Sequence, residues 1–253
     1  FEVLAPSLAG CRIVALDLTG HGLSDHRSDD ATYLIWDDIP QLLKVIGQLG
    51  WPRCTLLGHS RGAMIATLLA AAMPDHVDAL ITLDGLFPSP QDDRQFVAQM
   101  RDSLRYTARV ARQAQRRFSS LEDFIERRQR YGVSRDIAAR LAVRAVEESA
   151  DGFVLRNDQR LHSPSAVKLS AGQIEVALRA LSVPVLTIWA SEGLLKRDWE
   201  LDVLALAEAA IGELTSATVD GHHHFQMEPL AASEIARHIL DFIAGLHKGG
   251  TEA

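Results

Sequence analysis

The stretch Leu56-Leu-Gly-His-Ser-Arg-Gly62 places a single serine, Ser60, between two glycines. An apolar run precedes it and an alanine-rich apolar run, residues 61–73, follows it. This order predicts a buried strand, a sharp turn that carries the serine, and a buried helix. A serine on such a turn is held in the position that a nucleophile needs, so Ser60 is the predicted nucleophile. The alternative is a glycine-flanked helix cap with no chemical role.

Short apolar runs alternate with longer helical patterns on both sides of this stretch. Because they are rich in β-branched residues, the runs predict strands that are buried on both faces. They are Ile13–Asp17, Cys54–Gly58, Leu80–Asp84, Val185–Trp189 and the more polar Thr215–Val219. Helices are predicted to begin near Asp37 or Asp38, at Arg61, and after a capping Ser233. Alternating strands and helices predict an α/β fold with a parallel sheet covered on both sides.

One long segment, residues 86–182, interrupts this alternation. It has no strand-like run, its pattern is helical, and it is rich in arginine. An insertion between two strands of a parallel sheet predicts a lid over the carboxyl ends of the strands, where such sheets bind ligands. We therefore predict an α/β core of residues 1–85 and 183–253 with a helical lid, or cap, at 86–182. Its arginines indicate either solvated helix faces with ion pairs or attraction of an anionic substrate.

A histidine-rich loop follows the last predicted strand. A serine nucleophile needs a base to take its proton, and the base needs an acid to orient it. The loop Asp220-Gly-His-His-His-Phe-Gln-Met-Glu-Pro229 supplies candidate bases. Because neighbouring side chains diverge, three adjacent histidines favour one base over a metal site. No metal and no other cofactor is predicted.

Together these motifs resemble the α/β-hydrolase superfamily. The resemblance rests on Asp17-Leu-Thr-Gly-His-Gly-Leu-Ser-Asp25, the serine turn, and the ending His-His-Phe-Gln-Met-Glu-Pro, and it covers nearly the whole chain. The segment Asn157-Asp-Gln-Arg160, with Ala190-Ser-Glu-Gly-Leu194, is most similar to bacterial relatives of serine hydrolase-like proteins. The resemblance implies a mostly parallel sheet with flanking helices and a helical lid. It also implies a serine hydrolase that cleaves an ester or related acyl bond through an acyl-serine intermediate.

The family pattern assigns roles to particular residues and leaves two of them open. Ser60 would be the nucleophile, and the backbone N–H of Arg61 would be one oxyanion donor. Because the family's usual ending has Glu five positions after the base, counting back from Glu228 favours His223, whereas counting back from Pro229 gives His222. The acid is Asp84 or Glu192, since families place it after either of two strands. We weigh these two equally.

The third strand of the family's fold and its His-Gly oxyanion loop have no counterpart in this sequence, which opens with Leu4-Ala-Pro-Ser-Leu-Ala. We therefore expect a chain truncated at its N-terminus, whose activity is open. Two other functions stay possible: a catalytically inactive binding protein, or cofactor-free C–C bond or oxidative chemistry on the same fold. Cys11 and Cys54 would start next-nearest strands, roughly 9–10 Å apart, so both should be free thiols.

Composition excludes several other classes. The chain has 253 residues and a net charge of −7, which argues against a general nucleic-acid binder. No apolar run reaches the roughly 18 residues of a membrane span, so no membrane partner is predicted. Two cysteines favour a reducing compartment, and we predict a cytoplasmic protein acting on a small-molecule substrate. The sequence does not indicate an oligomeric state.

Overall fold

The computed structural model describes residues 1–131 and 133–249. Its strands, in chain order, are β1 (Cys54–His59), β2 (Val77–Leu83), β3 (Arg117–Phe118), β4 (Val146–Ser149), β5 (Gly152–Leu155), β6 (Val185–Glu192) and β7 (Leu214–His222). Its α-helices are α1 (Ile39–Gln48), α2 (Arg61–Ala72), α3 (Phe96–Val110), α4 (Leu121–Gln129), α5 (Arg135–Ala145), α6 (Ala171–Arg179), α7 (Asp198–Ala210) and α8 (Pro229–Gly249). Contacts between residues divide the chain into two compact units.

The first unit consists of residues 1–13, 39–93 and the chain from Lys168 onward. Its sheet has the strand order β1-β2-β6-β7, and every neighbouring pair is parallel. Successive residues of β2 point to opposite faces: Leu80 packs in one buried cluster with α2, α6 and α7, and Ile81 in a second with α8. The predicted α/β fold with a mostly parallel sheet and flanking helices is confirmed.

Residues 13–17 correct the sequence prediction, because they form no strand. Ile13, Val14 and Leu16 are each more than two-fifths exposed, although their run was predicted to be buried on both faces. β1 lies at the edge of the described sheet, with β2 on one side and no described strand on the other. A strand exists through the hydrogen bonds of its neighbour, so an apolar run that lacks a neighbour stays irregular whatever its propensity.

The start of α8 is a second correction. The helix begins at Pro229, four residues before the predicted cap at Ser233. Proline suits the first position of a helix, since its missing N–H would have had no partner there. Ser233 lies inside the helix, and its hydroxyl donates to the carbonyl of Pro229 at 2.9 Å. Ser233 therefore caps nothing.

The second unit consists of residues 14–38 and 94–167. Besides α3, α4 and α5 it holds a small antiparallel sheet of order β3-β5-β4, so the prediction of no strand between 86 and 182 is wrong. These strands have two to four residues, too few to produce a recognisable alternation. Residues 14–38 were predicted to belong to the core, but they fall in this second unit. Residues 86–93 and 168–182 were predicted to belong to the lid, but they fall in the first unit. A role of 86–182 as a lid stays a prediction.

A buried polar cluster joins the two segments of the second unit. Asp158, 5% exposed, accepts hydrogen bonds from the hydroxyl of Tyr33 at 2.8 Å and from the guanidinium of Arg160 at 2.6 Å. The same guanidinium donates to the backbone carbonyls of Arg27 and Ser28. The motif 157–160 therefore anchors the loop that precedes α1 by satisfying its backbone carbonyls.

Two further sequence predictions concern the whole chain. Cys11 and Cys54 are both free thiols, as predicted. Within the part of the chain that the structure describes, every helix is too short or too polar to cross a lipid bilayer.

Candidate active site

Ser60 occupies the tight turn between β1 and α2. Its backbone has φ 54° and ψ −121°, a left-handed conformation that side-chain-bearing residues rarely adopt. Its N–H donates to the carbonyl of Leu83 at 3.1 Å, which ties the turn to β2. A Cβ at Gly58 would overlap the backbone carbonyl of Gly62, so position 58 requires glycine, whereas a Cβ at Gly62 would meet open space. The predicted strand–turn–helix is present, and only one of its two glycines is needed for close approach.

His223 reaches Ser60 from the loop after β7. Its Nε2 lies 2.9 Å from Ser60 Oγ, and its Nδ1 lies 2.6 Å from Asp84 Oδ2. With Asp84 ionised, the neutral ring donates from Nδ1 to the carboxylate and accepts from the serine hydroxyl at Nε2. The three side chains thus form one continuous chain of hydrogen bonds.

Asp84 follows β2 and is fully buried. Its carboxylate accepts hydrogen bonds from the backbone N–H groups of Ala190 at 3.2 Å and Leu194 at 3.1 Å, in addition to His223. A Cβ at Gly193 would overlap both carboxylate oxygens. Glycine at 193, where the family pattern often has the acid, therefore leaves the space that Asp84 fills from the neighbouring strand.

The two alternative residues lie in other surroundings. Glu192, at the end of β6, is about half exposed and forms an ion pair with Lys196 at 3.0 Å. His222 is the last residue of β7, is exposed, and pairs in register with Glu192. The geometry therefore joins Ser60 to His223 and Asp84, while the hydrogen bonds of that chain involve neither Glu192 nor His222.

His59 belongs to the site, although the sequence analysis did not select it. Its Nε2 lies 2.6 Å from the backbone carbonyl of His223, and the two rings are 4.7 Å apart between centroids. Burial, followed by the nearby His223 ring, lowers the pKa of His59 to about 3. His59 is therefore neutral at physiological pH and donates to the loop that carries His223. The feature of the sequence that could have identified His59 as a site residue was its position directly before Ser60.

Arg61 begins α2, directly after Ser60. The first N–H groups of a helix have no acceptor within the helix, and the helix dipole places partial positive charge there. An oxyanion that forms on a carbonyl bound at Ser60 would meet this end of α2, which supports the predicted use of the Arg61 backbone N–H.

Among the described residues no three His, Cys, Asp or Glu side chains are grouped so that they could hold a metal ion.

The chain is similar to known proteins in sequence and in fold. A family model described as the alpha/beta hydrolase fold matches residues 1–228. A serine hydrolase-like protein of Dictyostelium discoideum is 31% identical over 96% of this chain and 70% of its own length. A hypothetical protein of Pseudomonas aeruginosa PAO1 has a crystal structure that superposes with a TM-score of 0.89 at 36% identity, covering 96% of this chain and 86% of that one. A thioesterase domain from the curacin biosynthetic pathway has a TM-score of 0.79 at 26% identity, covering 94% and 85%. The chain belongs to the alpha/beta hydrolase family.

Proposed function

We propose that this chain is a serine hydrolase that cleaves an ester or related acyl bond through an acyl-Ser60 intermediate. The observation that carries the proposal is the hydrogen-bond chain from Ser60 Oγ through both nitrogens of His223 to the buried carboxylate of Asp84. This arrangement lets a hydroxyl lose its proton to an imidazole whose orientation and resulting charge are stabilised by an acid.

In the first half of the reaction, His223 Nε2 takes the proton of Ser60 as Oγ bonds to the substrate carbonyl carbon. The carbonyl π electrons move to the oxygen, and the resulting oxyanion is stabilised by the N–H of Arg61. Collapse of this tetrahedral intermediate breaks the bond to the leaving alcohol or thiol. That leaving group receives the proton from His223, and the acyl group remains on Ser60.

In the second half, water replaces the leaving group. His223 takes a proton from the water as its oxygen attacks the acyl carbon, and a second oxyanion forms. Its collapse releases the carboxylic acid and returns the proton to Ser60 Oγ. Asp84 keeps its negative charge throughout and stabilises the imidazolium that forms twice. The hydrolase names of the relatives and the thioesterase neighbour support acyl transfer to water; the small-molecule acyl substrate is part of the proposal.

Covalent labelling tests the proposal directly. A fluorophosphonate should modify the wild-type chain on Ser60, and Ser60→Ala should abolish the modification. Ser233→Ala is the matched control, since Ser233 is an exposed serine of α8, and it should label like wild type. Intact mass and peptide mapping measure both. A folded chain that takes up no phosphonate would contradict the proposal and favour a binding protein. Labelling at Ser60 without turnover of any simple ester or thioester would favour other chemistry on the same fold.

A further inference from the structure

His59 is the last residue of β1, and its side chain forms a hydrogen bond with the backbone of His223. Its Nε2 lies 2.6 Å from the carbonyl oxygen of His223, which is 164 residues later in the chain. Because a carbonyl oxygen can only accept a hydrogen bond, Nε2 of His59 carries a proton and is the donor. This bond therefore connects the strand that leads into Ser60 with the backbone of the residue whose ring binds Ser60.

A glycine near the end of β7 precedes His223 by two residues. Gly221 has φ 141°, a conformation that residues with a side chain rarely adopt. Its N–H donates to the hydroxyl of Ser191 at 3.2 Å, which fixes the end of β7 to β6. Because glycine has the widest range of backbone conformations, the chain can rotate at Gly221 unless the residues beyond it are also held. The hydrogen bond from His59 holds them on the side of β1.

His223 is thus held at its backbone as well as at its ring. The ring lies 2.6 Å from Asp84 through Nδ1 and 2.9 Å from Ser60 through Nε2. These two bonds stay aligned only if the backbone from which the ring projects stays in place. A displacement of about 1 Å can slow a reaction by about 10²-fold. A donor to the His223 carbonyl can therefore affect the reaction without touching a reacting atom.

The charge of His59 matters because its ring packs against the ring of His223. The two ring centroids are 4.7 Å apart, and the ring of His224 lies 5.4 Å from that of His59. Burial first, and then His223, lower the pKa of His59 to about 3, although the hydrogen bond to the His223 carbonyl opposes the shift. A neutral donor holds the loop without repelling the positive charge that forms on His223 in the proposed reaction.

Resting on the proposed function, we propose that His59 is a positioning residue that fixes the backbone of His223 through its Nε2–H. This hydrogen bond keeps Nε2 of His223 within reach of Ser60 Oγ while Nδ1 stays on Asp84. Without the donor, the three side chains of the hydrogen-bond chain are still present but less well aligned. Loss of the donor therefore slows the chemical step more than it weakens substrate binding.

Two neutral amide variants separate the position of the donor from its presence. His59→Gln places a side-chain N–H near the position of Nε2, whereas the shorter His59→Asn places it near Nδ1, away from the His223 carbonyl. Intact mass over time measures the rate at which a fluorophosphonate modifies Ser60. We expect His59→Gln to label within a few-fold of the wild-type rate and His59→Asn about 10–10²-fold more slowly. With an active-ester substrate, the loss in His59→Asn should appear in kcat and not in KM.

The matched controls are His222→Gln and His222→Asn, because His222 is exposed and directly precedes His223. Both should label like the wild type. Urea denaturation of each variant gives the folded fraction by which its rate is corrected. Labelling of His59→Asn at the wild-type rate would overturn the inference. Equal slowing of His59→Asn and His59→Gln would also overturn it, because the position of the donor would then be irrelevant.

A measurement on the wild-type chain requires no variant to keep its stability. Long-range nitrogen–proton NMR correlations report which ring nitrogen of a histidine carries the proton. The neutral ring of His59 should carry it on Nε2, because that nitrogen donates to the His223 carbonyl. A proton on Nδ1 would overturn the inference. Failure of the proposed function has a separate signature, namely the absence of phosphonate labelling at Ser60 in the wild type.

Discussion

Two buried aspartates, one in each unit of the molecule, form hydrogen bonds with similar sets of side chains. Asp84 binds an imidazole, which in turn binds a serine hydroxyl. Asp158 binds a guanidinium and a phenol hydroxyl, those of Arg160 and Tyr33. Both acids are at most 5% exposed. Each cluster therefore links a buried carboxylate, a nitrogen-bearing side chain and a hydroxyl group by hydrogen bonds.

The difference is whether the nitrogen partner can exchange a proton. Burial opposes ionisation of Asp158, but hydrogen bonds from Arg160 and Tyr33 outweigh it and lower its pKa. The hydrogen bond to Asp158 in turn raises the pKa of Arg160, so this cation never deprotonates. An imidazole, unlike a guanidinium, can take up and release a proton, as the proposed base His223 must. Similar geometry thus gives a static anchor in one unit and, in the other, an arrangement that suits the proposed proton transfer.

Removing the charge of Asp84 should have the largest effect on activity. Asp84→Asn should lower kcat/KM for an acyl substrate by about 10⁴-fold, because an amide can hold the ring in the wrong tautomer and cannot stabilise the imidazolium. Steady-state kinetics with an active-ester substrate measures this. Asp158→Asn is the comparison and should change kcat/KM little once the folded fraction is accounted for. Equal losses in the two variants would mean that Asp84 has no special role.

Breaking the ion pair between Asp158 and Arg160 should lower the stability of the fold rather than the activity. Arg160→Ala leaves Asp158 buried without its cation, and we expect the free energy of unfolding to fall by about 3 kcal/mol. Urea denaturation measures it. Because the pKa of Asp158 is lowered, its contribution is present above its ordinary value of 3.8 and is lost as pH falls below it. The stability difference between wild type and Arg160→Ala should therefore shrink in acid; a difference independent of pH would contradict the assignment.

A smaller change should displace Asp84 without removing it. A Cβ at residue 193 overlaps the Asp84 carboxylate, which can yield by moving away from His223. Gly193→Ala should then lower kcat/KM by about 10²-fold while the chain remains folded. Gly212→Ala is the matched control, because a Cβ there meets nothing within 4 Å. Unaltered kinetics in Gly193→Ala would show that the position of Asp84 is not critical.

Local sequence patterns were sufficient to predict the parts of the structure that depend on residues close together in the chain. The run before Ser60, the glycine at 58 and the apolar run after it predict a strand–turn–helix, because each element follows from the residues that form it. The same logic failed for residues 13–17, because no strand within residues 1–131 and 133–249 pairs with them. It also missed β3–β5, which are too short to show a period.

The partners of Ser60 required the tertiary structure. Asp84 and Glu192 both lie where parallel strands end, and His222 and His223 are adjacent, so spacing could only offer pairs of candidates. The choice depends on which side chains converge across more than a hundred residues of sequence, and on the room that Gly193 leaves for Asp84. Glu200 shows most clearly that burial cannot be predicted from the sequence alone. In the sequence it is an ordinary helical glutamate, and only the packing of α7 buries it completely, since burial is a property of the assembled fold.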